Sequence, residues 1–407
     1  MTYNKKSIWQ YPWGYRESFI IASGLLILGL VMNYFIKFSN LTISWPINIW
    51  FGFFFIIILL FSQILFKKKS FVKWLSSTPA AISAIITFSF LVLLMGLIPQ
   101  KNENVNSIIF KSGLTEITNS LMYVFILIYL LTTLGMVILR RSFPFKNKNI
   151  AFFINHFGLW VILFTSALGA GDFQRIKITV NKINPIYSGI NQKGIFISDL
   201  GIAIQLNDFL IEEYTPKAYI INGTTGDILN QKNIILEKGN KLKVLDWEIE
   251  VLDFYEYAAY NDSIYYAIYD IGATPAAFIK VTQVNTKTIK TGWVSCGSFK
   301  YPGNYLLLNN NQLLVMAEPE AKKYSSDIKI YTKKGEIFNK SIEVNKPASV
   351  NGYKIYQIDY DHKRGKWSEI SVLELVKDPW LHGVYIGIFM LIAGAVYMFW
   401  ISNKKLN

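Results

Sequence analysis

Three histidines and one cysteine offer the metal-binding and nucleophilic chemistry of this 407-residue chain, and one of them stands inside a long apolar run. His156 lies about five residues into the segment Ala151–Ala170. At 1.5 Å per residue that is roughly 8 Å inside a helix crossing a membrane. Imidazole titrates near neutral pH and is a common metal ligand, and a polar side chain at such depth is a functional candidate. Two chemistries are open to it: axial ligation of an iron such as that of haem, or a hydrogen bond to a neighbouring helix. Phe152, His156, Leu159, Trp160 and Leu163 fall on one helical face, which would cover one side of a flat ring. His382 opens another apolar run beside Trp380. It is either an interfacial residue of the aromatic belt or a second haem contact near the outer face. His362 lies in a charged turn, Asp359–Lys366, and is expected to be solvated. Cys296, between Ser295 and Gly297, is expected to be a small core residue, with a thiol role as the alternative. A single cysteine excludes an intrachain disulfide and a CxxC pair. No Ser/His/Asp set, metal-ligand cluster or glycine-rich phosphate loop is evident, so no catalytic residue is assigned.

The elements that must position His156 are helices. Apolar segments run Phe19–Ile36, Ile47–Phe66, Ala80–Ile98, Leu121–Leu139, Ala151–Ala170 and Leu381–Ile401. Each approaches the ~20 residues that span ~30 Å of hydrocarbon, and the first is long enough to remain as an anchor. Lys67, Lys68, Lys69 and Lys73 follow the second segment. Arg140, Arg141, Lys146 and Lys148 follow the fourth, Lys404 and Lys405 the sixth, and Lys5, Lys6 and Arg16 precede the first. Residues 37–46 carry only Lys37, and residues 99–120 balance Lys101 and Lys111 against Glu103 and Glu116. The positive-inside rule then places both termini in the cytoplasm and residues 172–380 outside. It also accounts for the net charge of +14 without nucleic acid, which is not expected as a partner; membrane lipid is. Trp45, Trp50, Trp74, Trp380 and Trp400 sit near segment ends, as interfacial rings do. Asn155 suits packing or capping. Ser166 with Ala170 and Ala167 with Gly171 give small-residue spacing for close helix contact. Asp172 and Arg175 mark the exit from the fifth segment, where they anchor the interface or meet a ligand's carboxylates.

Residues 172–378 have soluble composition and alternate as strands do. Ile176–Val180, Lys241–Val244 and Asp327–Ile330 switch between apolar and polar. Asn222-Gly223, Lys334-Gly335 and Asn351-Gly352 are turn signals. The expected class is therefore a polytopic α-helical membrane protein with a large β-rich outer domain, an antiparallel sandwich or barrel-like sheet. Four parts are expected: a two-helix addition at 1–70, membrane helices at 71–171, the β-rich domain at 172–378, and a last helix with its tail at 379–407.

Five stretches in order resemble the ResB/CcsB family of System II cytochrome c biogenesis, over about residues 70–402. They are Leu75–Ala81 with Gly96–Gln100; Asn155–Trp160 with Ala167–Gly171; Leu206–Phe209 with Glu212–Tyr214; Ser341–Pro347 with Gly352–Gln357; and Lys377–Trp380. The Gly96–Gln100 turn is one residue shorter than the family's. The resemblance implies a subunit of a cytochrome c synthetase, which moves haem b outward and presents it to the CxxCH thiols of apocytochrome c. It implies His156 as candidate haem ligand, with Trp160 beside it and His382 as a weaker contact. The tryptophan-rich WWD segment of that system is missing from the sequence, so a separate CcsA-like subunit is the implied partner, in the bacterial cytoplasmic membrane. Whether this subunit is itself enzymatic stays open. The rival readings are a haem-independent scaffold or sensor with an outer β-domain, and a transporter. No repeat between the two halves of the helical part supports the latter.

Overall fold

The computed structural model describes residues 7–35, 43–100, 108–144 and 146–404, with side chains through Trp400. Lys5, Lys6, Ile36, Lys37, Lys101, Glu103 and Lys405 lie outside the described residues, as do the side chains of Ile401 and Lys404. The chain divides into two compact units: residues Met1–Phe173 with Asp378–Asn407, and Gln174–Lys377.

The first unit is helical. It comprises α1 (Tyr15–Phe35), α2 (Ile47–Leu65), α3 (Ser70–Leu75), α4 (Thr78–Leu97), α5 (Ile108–Lys111), α6 (Leu121–Ser142), α7 (Ile150–Gly169) and α8 (Leu381–Lys404). Among the described residues, α1, α2, α4, α6, α7 and α8 are long and apolar enough to cross a membrane. Their bounds follow the six apolar runs to within four residues. α6 is the central element and is buried along most of its length. Ser120 caps it, its hydroxyl accepting the Tyr123 N–H at 3.2 Å. Arg140 and Arg141 close it, where cations favour the helix dipole. α1 packs so closely on α6 that a Cβ on Gly29 would stand 2.6 Å from the Met122 backbone. α1 is therefore built into the bundle. The basic loops gather at one end of the unit. Arg140 donates to the Ser76 carbonyl at 3.0 Å, and Trp74 donates to Ser18 Oγ at 2.9 Å, near Arg16.

The second unit is antiparallel throughout, and the expected sandwich is present twice. The chain first lays down β1 (Gln174–Asn181), β2 (Gly189–Asn191), β3 (Phe196–Ile197) and β4 (Ile202–Glu213). It then builds β5 (Lys217–Asn222), β6 (Ile234–Ile235), β7 (Lys241–Val244), β8 (Trp247–Asn261), β9 (Ile264–Ala267), β10 (Thr274–Gln283), β11 (Ile289–Ser295), β12 (Leu306–Asn309) and β13 (Gln312–Met316). It returns with β14 (Ala321–Thr332), β15 (Ile337–Glu343), β16 (Ala348–Val350), β17 (Tyr353–Tyr360) and β18 (Ile370–Lys377). The sheets β16-β17-β18-β1-β2-β3 and β15-β14-β4 enclose one core around Ile204, Leu206, Ile328, Ile355 and Leu373. The sheets β11-β10-β8-β7 and β12-β13-β5-β6 enclose another around Ile220, Trp247, Ile249, Ile279 and Leu314. The second sandwich is thus inserted between β4 and β14, whose ends pair, Glu213 opposite Ala321. Period-two alternation buries one face of each strand. Asn351 and Gly352, both at positive φ, make the tight hairpin from β16 to β17 that their sequence predicts.

Candidate functional site

α7 holds His156 half-buried. Its Nδ1 lies 3.0 Å from the carbonyl oxygen of Phe152, one turn back. A carbonyl only accepts, so Nδ1 carries a proton, and in the neutral ring the lone pair then lies on Nε2, open to another partner. A bond from the far ring nitrogen to a backbone carbonyl is the usual way a ligating histidine is oriented. The imidazole also stacks on the Phe152 ring, centroids 3.8 Å apart. The Arg141 guanidinium lies 4.0 Å over that same ring. A cation and an imidazole are therefore brought to one aromatic ring, a feature that reading α6 and α7 separately does not suggest.

Trp160 belongs to a different face. It is buried against α6, donates to the Leu131 carbonyl at 3.0 Å, and stacks on Phe164 at 4.3 Å. Its indole N–H is committed to the α6–α7 contact. Leu159, by contrast, is exposed. The face drawn from spacing alone is thus divided between the bundle interior and its surface.

α8 lies against α7 along a glycine seam. A Cβ on Gly158 would stand 2.5 Å from the Leu391 nitrogen, and one on Gly387 would stand 2.8 Å from the Gly158 carbonyl. Gly383 meets Thr165, and Gly394 meets the backbone of Asn155. Asn155 donates to the Leu391 carbonyl at 3.0 Å, which is the packing role expected of it. The small residues that permit close approach are therefore Gly158, Gly383, Gly387 and Gly394, rather than Ser166 with Ala170. The Gly-x-x-x-Gly spacing of residues 383–387 was the available signal.

The seam also separates the two histidines. His156 lies near the level of Leu391, whereas His382 is exposed in the first turn of α8. Nine residues at 1.5 Å each put them about 14 Å apart along the axis. One iron cannot take both.

At the other end of α7, Asp172 is saturated. Oδ1 accepts the Trp45 N–H at 2.7 Å. Oδ2 accepts Asn48 Nδ2 and Trp380 Nε1, each at 2.7 Å. Asn48 also donates to the Leu168 carbonyl at 2.9 Å. Burial pushes this carboxyl up, but the three donors together outweigh it and hold the group below the usual carboxylate range. Asp172 thus ties the start of α2, the end of α7 and the start of α8.

In the β unit, Arg175 pairs with Glu374 at 3.2 Å. His362 is exposed, bonds Asp359 at 2.7 Å and stacks on Tyr360. Cys296 packs at the rim of the second core, and burial pushes its thiol up, away from the reactive thiolate. Lys366 and Trp367 bridge the sandwiches: Lys366 pairs with Glu213 at 2.8 Å and lies 4.6 Å over the Tyr257 ring, and Trp367 donates to the Ala273 carbonyl. Burial first, and then the charge of Glu256, push Tyr257 up to about 12. Among the described residues, no group of three or more His, Cys, Asp or Glu could hold a metal ion.

Residues 282–369 match the model of the ResB-like family. The chain carries a ResB-like region. That region runs from the end of β10 to the turn after β17. It contains Ser341–Pro347 and Gly352–Gln357, the stretch most specific to the resemblance; the other four stretches lie outside it. Within the ResB-like region these residues are turn and core chemistry. Asn345 takes a positive φ, Asn351-Gly352 makes the hairpin, and Tyr353 and Ile355 are buried. The match supports a role in cytochrome c biogenesis. No curated protein matches the chain.

Proposed function

We propose that this protein is the CcsB-like subunit of a haem-delivering cytochrome c synthetase in a bacterial cytoplasmic membrane. Both termini face the cytoplasm, and the two sandwiches face outward, where apocytochrome c presents its CxxCH thiols. Haem b is the cargo, passed between this chain and a CcsA-like subunit. His156 offers Nε2 to the haem iron, and Arg141 offers a cation to a propionate. The observation that carries this reading is the Nδ1–H bond to the Phe152 carbonyl, which leaves Nε2 available on a half-buried ring. Orientation rests on the gathering of basic loops at one end of the helical unit. His382, about 14 Å away along the axis, does not share an iron with His156, and the Trp160 N–H is committed to the Leu131 carbonyl.

The test is the absorption spectrum of the purified chain, with and without its CcsA-like partner. Wild type is expected to retain haem; His156→Ala is expected to lose it, and His156→Gly to regain it with added imidazole. Equal haem in wild type and His156→Ala removes His156 from the mechanism. No haem in any preparation, partner included, favours the scaffold or sensor reading.

A further inference from the structure

An apolar groove of about 410 Å³ opens between α2, α3 and α6, with α1 contributing Leu25. It falls within the size range of small-molecule sites. Phe55, Ser62, Phe71, Leu75 and Thr132 line it, and His156 does not. From Phe55 to Ser62 it follows α2 for about 10 Å, so its long axis runs with the helices. Its two walls, Ser62 on α2 and Phe71 on α3, are joined by the loop carrying Lys67, Lys68 and Lys69, and Lys73 follows in α3. All four lysines are exposed, and among the described residues none forms an ion pair. An elongated apolar slot ending in a cluster of free cations has the complement of one molecule type: an acyl chain below an anionic headgroup.

We propose that this groove binds an anionic phospholipid, one acyl chain lying against Phe55, Leu75 and Thr132 and its phosphate meeting Lys67–Lys69. The groove flanks the point where Leu59 of α2 packs on Gly135 of α6, and lipid held there gives the N-terminal helices a binding role. The proposal rests on the membrane reading of the helical unit and is independent of haem handling.

The experiment is native mass spectrometry of the full chain in detergent, titrated with dioleoyl phosphatidylglycerol or dioleoyl phosphatidylcholine. Wild type is expected to retain one phosphatidylglycerol in clear preference to phosphatidylcholine. Lys67→Gln, Lys68→Gln and Lys69→Gln are expected to lower that affinity about fivefold each. Thr132→Phe fills the slot and is expected to abolish retention. Lys146→Gln with Lys148→Gln, in a basic loop remote from the groove in sequence, is expected to change nothing, which separates a site from general surface charge. Equal retention of the two lipids, a matching loss in the Lys146/Lys148 variant, or hemin taken up in place of phosphatidylglycerol would overturn the assignment. The lysine series keeps the test decisive should Thr132→Phe misfold.

Discussion

The two ends of α7 treat a polar side chain in opposite ways. At one end Asp172 has both carboxylate oxygens occupied, by Asn48 in α2, by Trp45 just before α2 and by Trp380 just before α8. At the other, His156 makes one hydrogen bond among the described residues, within its own helix, and none of these residues bonds Nε2. An apolar solvent penalises both arrangements unless polar atoms are satisfied. Asp172 satisfies that demand by joining three elements, and its removal would be felt as lost structure. His156 satisfies it only in half, and on the proposed reading its removal would be felt as lost chemistry. If that reading holds, saturation, more than residue type, separates a structural polar group from a functional one in this bundle.

That contrast can be tested through stability, from the largest expected effect down. Gly158→Leu drives a side chain into the α8 backbone and should cost about 3 kcal/mol or more. It should open the seam between the two ends, and differential scanning fluorimetry in detergent would register it. Asp172→Ala leaves Trp45, Asn48 and Trp380 without their acceptor and should cost about 2 kcal/mol, given a partly exposed site. A neutral effect would mean that the Asp172 end is no more structural than the His156 end. Acid should act on the same group. Its folded carboxyl is held low, so the stability it confers is complete above the ordinary carboxylate range and is lost as pH falls through the lowered value. Unfolding midpoints measured down to pH 2 should therefore drop less in Asp172→Asn than in wild type. His156→Ala should change stability least, by under about 1 kcal/mol, while removing haem from the spectrum. A large loss of stability there would collapse the contrast.

Much of this architecture is written locally. The six apolar runs give the helices, because hydrocarbon forces every backbone group to be satisfied within its own segment. The strand alternation at Ile176–Val180 and Lys241–Val244 gives β1 and β7, because a two-residue period has one buried face. What sequence does not expose is partnership over distance. Asn48 and Asp172 are 124 residues apart, and Asp172 and Trp380 are 208 apart. No local pattern pairs them. Trp160 shares helical spacing with His156, yet packing against α6 claims it, since periodicity names a face without naming what covers it. The division of the β unit into two cores is hidden for the same reason: a strand alternates alike in either sandwich. His156 was visible as a lone imidazole in an apolar run. Its tautomer was not, because that depends on where the Phe152 carbonyl points.

The insertion of one sandwich into another has a consequence for how the unit can be edited. Glu213 and Ala321 face each other across a ladder, and the Tyr214 N–H already bonds the Glu320 carbonyl at 2.8 Å. The chain leaves and re-enters the first sandwich through neighbouring doorways. A short turn could close that gap, so residues 215–319 form a cassette that is removable without rethreading the strands around it. Excision would strip Lys366 of its aromatic neighbour Tyr257 and Trp367 of its acceptor at Ala273, while every strand of the first core kept its partners. Under the proposed function, a chain trimmed in this way would test whether the inserted module or the outer one is needed for cytochrome maturation.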